Sequence, residues 1–217
     1  MNEKMRSIFF YSSRSFFYFI VFLILPVTLS AQTADEMAKE LESLYRKGAA
    51  TTISFVLDGE KNSLTFATGS PKFRLENPND LIVSDGTTIW HYTKKNKEVV
   101  IDKASSNAAS LSNAQEMLKF SSNYSGVLSH KKGIYELQLS PSKSIEKIMA
   151  STGGISQITF TFTRSSKSGI QIKKVSAKAS SRNISLSNIS IRSIMKLADR
   201  LFVYTPAKGV KTTDLRD

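Results

Sequence analysis

The sequence predicts a mainly β fold of the α+β type, a curled antiparallel sheet with one apolar face covered by short helices. Three observations carry this. From Thr51 onward apolar residues recur at every second position, in short runs broken by Gly, Pro, Asn and Asp. Most runs place Ser, Thr or Lys at the alternate positions, as in Ile158-Thr159-Phe160-Thr161-Phe162, so the sheet has one greasy side and one wet side. Two stretches, one before the strands and one among them, have helical spacing instead. A sheet with one apolar face must curl around it, pack on a second sheet or be covered by helices. With a single meander and two amphipathic helices, the covered, curled sheet is the economical solution. Its interior is either packed solid or open to a ligand, and periodicity does not choose between them.

The elements follow in chain order. Lys4, Arg6 and Arg14 precede Phe16 to Leu29, an uncharged apolar run, and Ser30-Ala31 stand before Gln32. A basic start, a short apolar run and small residues at a cut predict a secretory signal over residues 1–31, cleaved after Ala31. The run contains Pro26 and falls short of the roughly 20 residues that a spanning helix needs. An uncleaved anchor is the alternative reading, and Leu29 is bulkier than the usual residue at its place. Residues 32–217 are expected to form one domain.

Thr33-Ala34-Asp35-Glu36 reads as a capping box that opens a helix. Met37, Leu41, Leu44 and Tyr45 share one face of it, and Gly48 marks its end. Six strands then fall between Ile53 and Ile101, separated by Asp58-Gly59, Gly69-Ser70-Pro71, Asn77 to Asp80, Ser84-Asp85-Gly86 and the Lys94 to Lys97 tip. That spacing predicts an antiparallel meander. Ala104 to Ala109 reads as a loop. Leu111, Ala114, Met117, Leu118 and Phe120 recover a helical stripe, which among strands is best explained as a plug or lid. Strands resume at Gly126 to Ser129 and Tyr135 to Leu139, and Ser144 to Ala150 supplies a helical turn. Ile155 to Phe162, Ile170 to Ala177, Ile184 to Ile191 and Leu201 to Tyr204 complete about ten or eleven strands and two or three helices.

Composition narrows the chemistry. The 217 residues include no cysteine, which excludes disulfides, thiolate metal sites, thiol nucleophiles and a lipid-bearing cysteine, and only two histidines, His91 and His130. No cluster of His, Asp and Glu has ligand spacing, so neither metal nor cofactor is expected. Asp85 is accounted for by its turn and His91 points away from Trp90, which sets an exported enzyme aside. The net charge is +12. Removing residues 1–31 takes away three basic side chains and one acidic, leaving 27 against 17, or +10. Such an excess suits nucleic acid, anionic lipid or an acidic partner. Export argues against nucleic acid, and the lysines are scattered in pairs such as Lys94-Lys95, Lys131-Lys132 and Lys173-Lys174.

Three segments carry a resemblance. Lys72-Phe73-Arg74-Leu75-Glu76, the hairpin Leu81-Ile82-Val83-Ser84-Asp85-Gly86-Thr87-Thr88-Ile89-Trp90-His91-Tyr92, and Phe202-Val203-Tyr204-Thr205-Pro206-Ala207-Lys208-Gly209-Val210 resemble, in order and separation, the outer-membrane lipoprotein carrier family, LolA. The resemblance implies a monomeric periplasmic carrier, an incomplete and strongly curved antiparallel β-barrel whose concave face holds lipoprotein acyl chains under short helices. It implies acylated lipoproteins as cargo, an inner-membrane lipoprotein-releasing ABC transporter as donor, an outer-membrane acceptor, and no catalysis. On this reading Phe55, Phe66, Phe73, Leu75, Trp90, Tyr92, Tyr135, Leu137, Phe160 and Phe162 are candidate cavity residues. Phe73 stands at the position of a family aromatic near the cavity mouth. Trp90 and Tyr92 share a face, concave or convex. Met37, Leu41, Leu44, Met117, Leu118 and Phe120 belong to the lid helices. Many family members place a lid-latching arginine before the strand-opening proline; here Ser70 precedes Pro71, so Arg74 or another basic residue takes the role, or the lid is controlled differently, and Arg74, next to Phe73, is expected on the opposite face of the strand. An envelope protein of the same fold that binds lipid or glycolipid, or senses lipoprotein without delivering it, is the competing reading.

Overall fold

Thr33 opens the first helix, α1 (Ala34–Arg46), through the expected capping box: its hydroxyl accepts from the Glu36 N–H at 3.2 Å, and the Glu36 carboxylate accepts from the Thr33 N–H at 3.0 Å. Asp35 and Glu36 lie in the first turn and Arg46 in the last, so the charges complement the helix dipole. The computed structural model describes residues 33–104, 118–151 and 154–216. The expected signal at 1–31, and Leu111 to Met117 of the second helical stripe, lie outside the described residues. Among the described residues no helix is long and apolar enough to cross a membrane.

Six strands follow α1: β1 (Ala50–Leu57), β2 (Glu60–Ala67), β3 (Phe73–Glu76), β4 (Asp80–Ser84), β5 (Thr88–Thr93) and β6 (Glu98–Lys103). Then come α2 (Phe120–Asn123), β7 (Tyr124–Lys131), β8 (Ile134–Pro141), α3 (Glu146–Ser151), β9 (Gln157–Ser165), β10 (Gly169–Lys178), β11 (Asn183–Ile194), a 3-10 turn at Asp199–Phe202 and β12 (Lys211–Asp214). All strands form one curved, unclosed sheet in the order β12-β6-β5-β4-β3-β2-β1-β11-β10-β9-β8-β7. The expected meander is present, because β1 to β6 are neighbours in sequence order and antiparallel. With α1, α2 and α3 this is the mainly β, open-barrel architecture.

Among the described residues twelve strands stand where about ten or eleven are expected, and the last of them lies elsewhere in the chain. Leu201 to Tyr204 is not a strand: Leu201 and Phe202 lie in the 3-10 turn, and Phe202 packs on Ala50 and Ala67 with Leu201 beside it. The last strand is instead Lys211-Thr212-Thr213-Asp214, which pairs parallel to β6. A short polar strand at an exposed edge carries no apolar alternation, and short charged edges protect a sheet from further pairing.

The Ser84-Asp85-Gly86 reversal is built as its residues require. Asp85 Oδ1 accepts from the N–H groups of Thr87 and Thr88 and from the Thr87 hydroxyl, each at 2.8 Å. Gly86 has φ +97°, and a Cβ there would meet Pro71 Cγ at 2.9 Å. Burial pushes the Asp85 carboxyl up, but the hydrogen bonds from Thr88 and Thr87 and the charge of Lys72 outweigh it and hold the pKa below its ordinary 3.8. A depressed carboxylate stabilises the fold above its unfolded value and loses that contribution as pH falls through the folded one. Asp85→Asn keeps an acceptor for the turn and removes the titration. It is therefore expected to flatten the dependence of unfolding free energy on pH below 3.8, measured by urea titration at several pH values. An unchanged acid slope would contradict this.

Candidate functional site

Register assigns every strand residue to a face, since directly opposed residues point to the same side of the sheet. Phe66 opposes Thr51 and Phe73, and Leu64 opposes Ile53 and Leu75. On the far arm Ile172 opposes Phe162, Phe162 opposes Tyr135, Phe160 opposes Leu137, and Ile158 opposes Leu139. These are the residues that α1 and α2 cover. Met37, Leu41, Tyr45, Phe120, Tyr124, Leu137, Phe160 and Phe162 are buried together with Phe66, while Leu44, Phe73, Leu118 and Tyr135 pack half-buried against them.

Helix α1 packs on β7, β8, β11 and β1. In the sheet order β7 and β1 are five strand spacings apart, about 24 Å along the surface. Thirteen residues of helix span about 20 Å. The helix therefore bridges the arc of the curved sheet. Its start lies close against β7 because Gly126 has no side chain: a Cβ there would sit 3.1 Å from Ala34 Cβ. Its end is tied to β1 by the Thr51 hydroxyl, which donates to the Tyr45 carbonyl at 3.0 Å inside the core. Phe120 stands edge-on to Tyr45, Tyr124 and Phe160 at 5.7, 6.1 and 5.1 Å between ring centres, a favoured aromatic geometry. Burial pushes the Tyr124 hydroxyl up to about 12 and that of Tyr45 higher, so both stay neutral.

Polar groups hold the helix from outside. Arg164 on β9 pairs with Glu40 at 3.1 Å. Glu42 accepts from the Ser121 N–H and hydroxyl at 3.2 and 2.9 Å and pairs with Arg46 at 2.9 Å. Arg74 takes no part in this. It lies on the opposite face from Phe73, where its guanidinium meets Glu76 at 3.1 Å beside Lys94.

A cleft opens beside the last turn of α1. The β10–β11 ladder runs from Lys178↔Asn183 only to Lys174↔Ser187. Beyond it the two strands keep their outer partners: β10 pairs with β9 up to Gly169, and β11 with β1 up to Ile194. Each strand carries an irregularity where they part. Lys173 is an extra residue between Ile172 and Lys174, and β11 shifts register between Ser190 and Ser187 with Asn188 at φ +50°. Bulges bend a strand and re-aim its side chains. The resulting cleft has a volume of about 360 Å³, with Ile170, Ile172, Ile189 and Ile191 along its walls, Leu44 over it, and Lys47 and Lys173 at its edge. A second groove of about 340 Å³ lies among Tyr45, Arg46, Phe66, Leu118 and Lys119. Both volumes fall in the range of small-molecule sites, about 300–1,000 Å³.

The expected cavity residues divide accordingly. Phe66, Phe73, Tyr135, Leu137, Phe160 and Phe162 come together under the helices, with Met37, Leu41, Leu44, Leu118 and Phe120 from above. Phe55 and Leu75 share that face by register and are half-buried. Trp90 and Tyr92 do not belong with them. Trp90 opposes Val83, which opposes Arg74, so both aromatics lie on the other face, packed with Leu81, Val99, Ile101, Tyr204 and Val210. Tyr92 stacks on Tyr204 at 5.3 Å. An apolar tail on the outer face gives the hairpin two greasy sides, which removes the alternation that would have told them apart. Met117 lies outside the described residues. The cleft isoleucines escaped nomination, although the pairs Ile170/Ile172 and Ile189/Ile191 carry the same period-two signal as the chosen aromatics. His91 lies on the helix-covered face and meets Asp80 at 2.9 Å. Among the described residues there is no group of three His, Cys, Asp or Glu able to hold a metal.

No protein-family model matches the chain, and no curated protein matches it. Among solved structures, LprF from Mycobacterium bovis is 11% identical with a TM-score of 0.43, covering 72% of this chain and 91% of that one. The Mycobacterium tuberculosis lipoprotein LppX is 12% identical with a TM-score of 0.44, covering 72% and 93%. Likeness at this level bears on neither ligand nor partner.

Proposed function

We propose that this chain is a carrier of acyl chains, which takes the lipid part of an acylated protein against its helix-covered face and gives it up at another membrane. The observation that carries this reading is the apolar face itself, bridged by one thirteen-residue helix and opened beside it by the isoleucine cleft between β10 and β11. Burying each CH₂ group is worth about 0.8 kcal/mol. A triacylated protein therefore cannot cross water without a partner that offers a dry surface, and a helix held by a few polar contacts can both cover and release one. No bond is made or broken, so no catalytic group is called for.

In this reading residues 1–31 are removed on export and the protein works in the periplasm, between an inner-membrane lipoprotein-releasing ABC transporter and an outer-membrane acceptor. Its test is native mass spectrometry of protein taken from the cell envelope without detergent, in cells depleted of the acceptor. A bound acylated lipoprotein is the expected result. Phospholipid or glycolipid alone would overturn delivery and leave a lipid-binding or sensing protein of the same fold.

A further inference from the structure

We infer that the cleft between β10 and β11 is an entry site for one acyl chain of an anionic phospholipid, whose phosphate is held by Lys47 and Lys173. The inference rests on the acyl-binding reading above and adds the charge and class of the ligand. The cleft is lined from both sides of the sheet: Ile170, Ile172, Ile189 and Ile191 on the helix-covered side, and Gln171 and Ser190 between them. A single alkyl chain lying there meets four isoleucines and Leu44. Wherever it enters, its head group must stay at the edge of the cleft, and among the described lining residues the two ionisable side chains are both lysines.

Local chemistry favours an anion over a zwitterion. The described residues of the lining include no carboxylate. The carboxylates of α1 on the turns before Lys47 are already engaged, Glu40 with Arg164 and Glu42 with Arg46. Lys173 is the extra residue of the β10 bulge, and its ammonium donates to the Gln171 side-chain oxygen at 3.3 Å, so it stands at the gap from the outer side, the side of Gln171. Lys47 follows the end of α1 and lies three residues from Leu44, on the side of the helix that roofs the cleft. Lys47 from the helix side and Lys173 from the outer side thus flank an apolar gap, which matches a phosphate carried on a chain. A phosphate without a chain would leave the isoleucines unused.

The test compares two ligands with the same single chain, palmitoyl-lysophosphatidylglycerol and palmitoyl-lysophosphatidylcholine, titrated calorimetrically below their micelle concentrations. The anionic lipid is expected to bind about three- to tenfold tighter, the range that two exposed charge contacts provide. In the Lys47→Gln/Lys173→Gln variant the ratio of affinities is expected to fall to about one. The Lys95→Gln/Lys97→Gln variant, with the same charge removed from the β5–β6 tip, is expected to keep the wild-type ratio. Equal affinities in the wild type, or an equal loss of preference in both variants, would overturn the inference while leaving acyl binding intact. Binding of neither lipid would overturn the acyl-binding reading as well. Displacement of the lipid by inorganic phosphate at matched concentration would mark a free-phosphate site and overturn the lipid assignment.

Discussion

Phe162→Ala is expected to destabilise the protein by about 3–5 kcal/mol, the cost of deleting a fully buried ring from a core that cannot collapse around the loss. Phe162 has no exposed surface, stacks on Tyr135 with 5.5 Å between ring centres, and opposes Ile172 at the wall of the cleft. For a domain of this size each kcal/mol moves the midpoint by roughly 3 °C, so thermal unfolding should shift by about 10 °C. Ile191→Ala, half-buried at the wall of the cleft, is expected to cost about 1 kcal/mol, because part of that side chain already meets open space. The two variants separate packed interior from binding surface. A Phe162→Ala protein within about 1 kcal/mol of wild type would mean that the ring faces a cavity, and the open part of the interior would then have to be redrawn.

That distinction is the one the sequence could not make. Alternation placed Phe160 and Phe162 on an apolar face, and the capping box placed α1, because each rests on contacts within a few residues. Whether an apolar residue is buried or lines a gap depends instead on where two strands stop pairing, and the parting of β10 from β11 is decided by one extra residue, Lys173, and the turn of Asn188. Neither has a turn signal as strong as Asp85-Gly86. Trp90 and Tyr92 illustrate the same limit, since their face is set by a C-terminal tail more than a hundred residues away, where Tyr204 and Val210 cover them. The holds on α1 were equally hidden: Arg164 and Ser121 are ordinary polar residues in sequence, and only the curvature of the sheet brings them to Glu40 and Glu42. Arg74, by contrast, was legible: next to Phe73 at strand period it is expected on the opposite face, and β3 holds it there, away from the helices.

If α1 must lift to admit several chains, fastening its start to β7 should block the cargo but spare the cleft. The Ala34→Cys/Gly126→Cys variant does this in a chain with no other cysteine, so the new pair has no competing thiol. A Cβ at position 126 would stand 3.1 Å from that of Ala34, slightly closer than the roughly 3.5–4.5 Å of a relaxed disulfide. The helix start must therefore give by a few tenths of an ångström. The oxidised protein is expected to lose at least tenfold in affinity for a triacylated lipopeptide and to regain it with reductant, since multiple chains need the face under Met37 and Leu41. Affinity for single-chain lysophosphatidylglycerol should change little. That chain enters at Leu44 and the parted strands, near the other end of the helix from the staple. Loss of both ligands on oxidation would mean that the cleft and the covered face open together as one site. Loss of neither would mean that α1 is a fixed part of the wall, and the acyl chains would have to be accommodated with the helix in place.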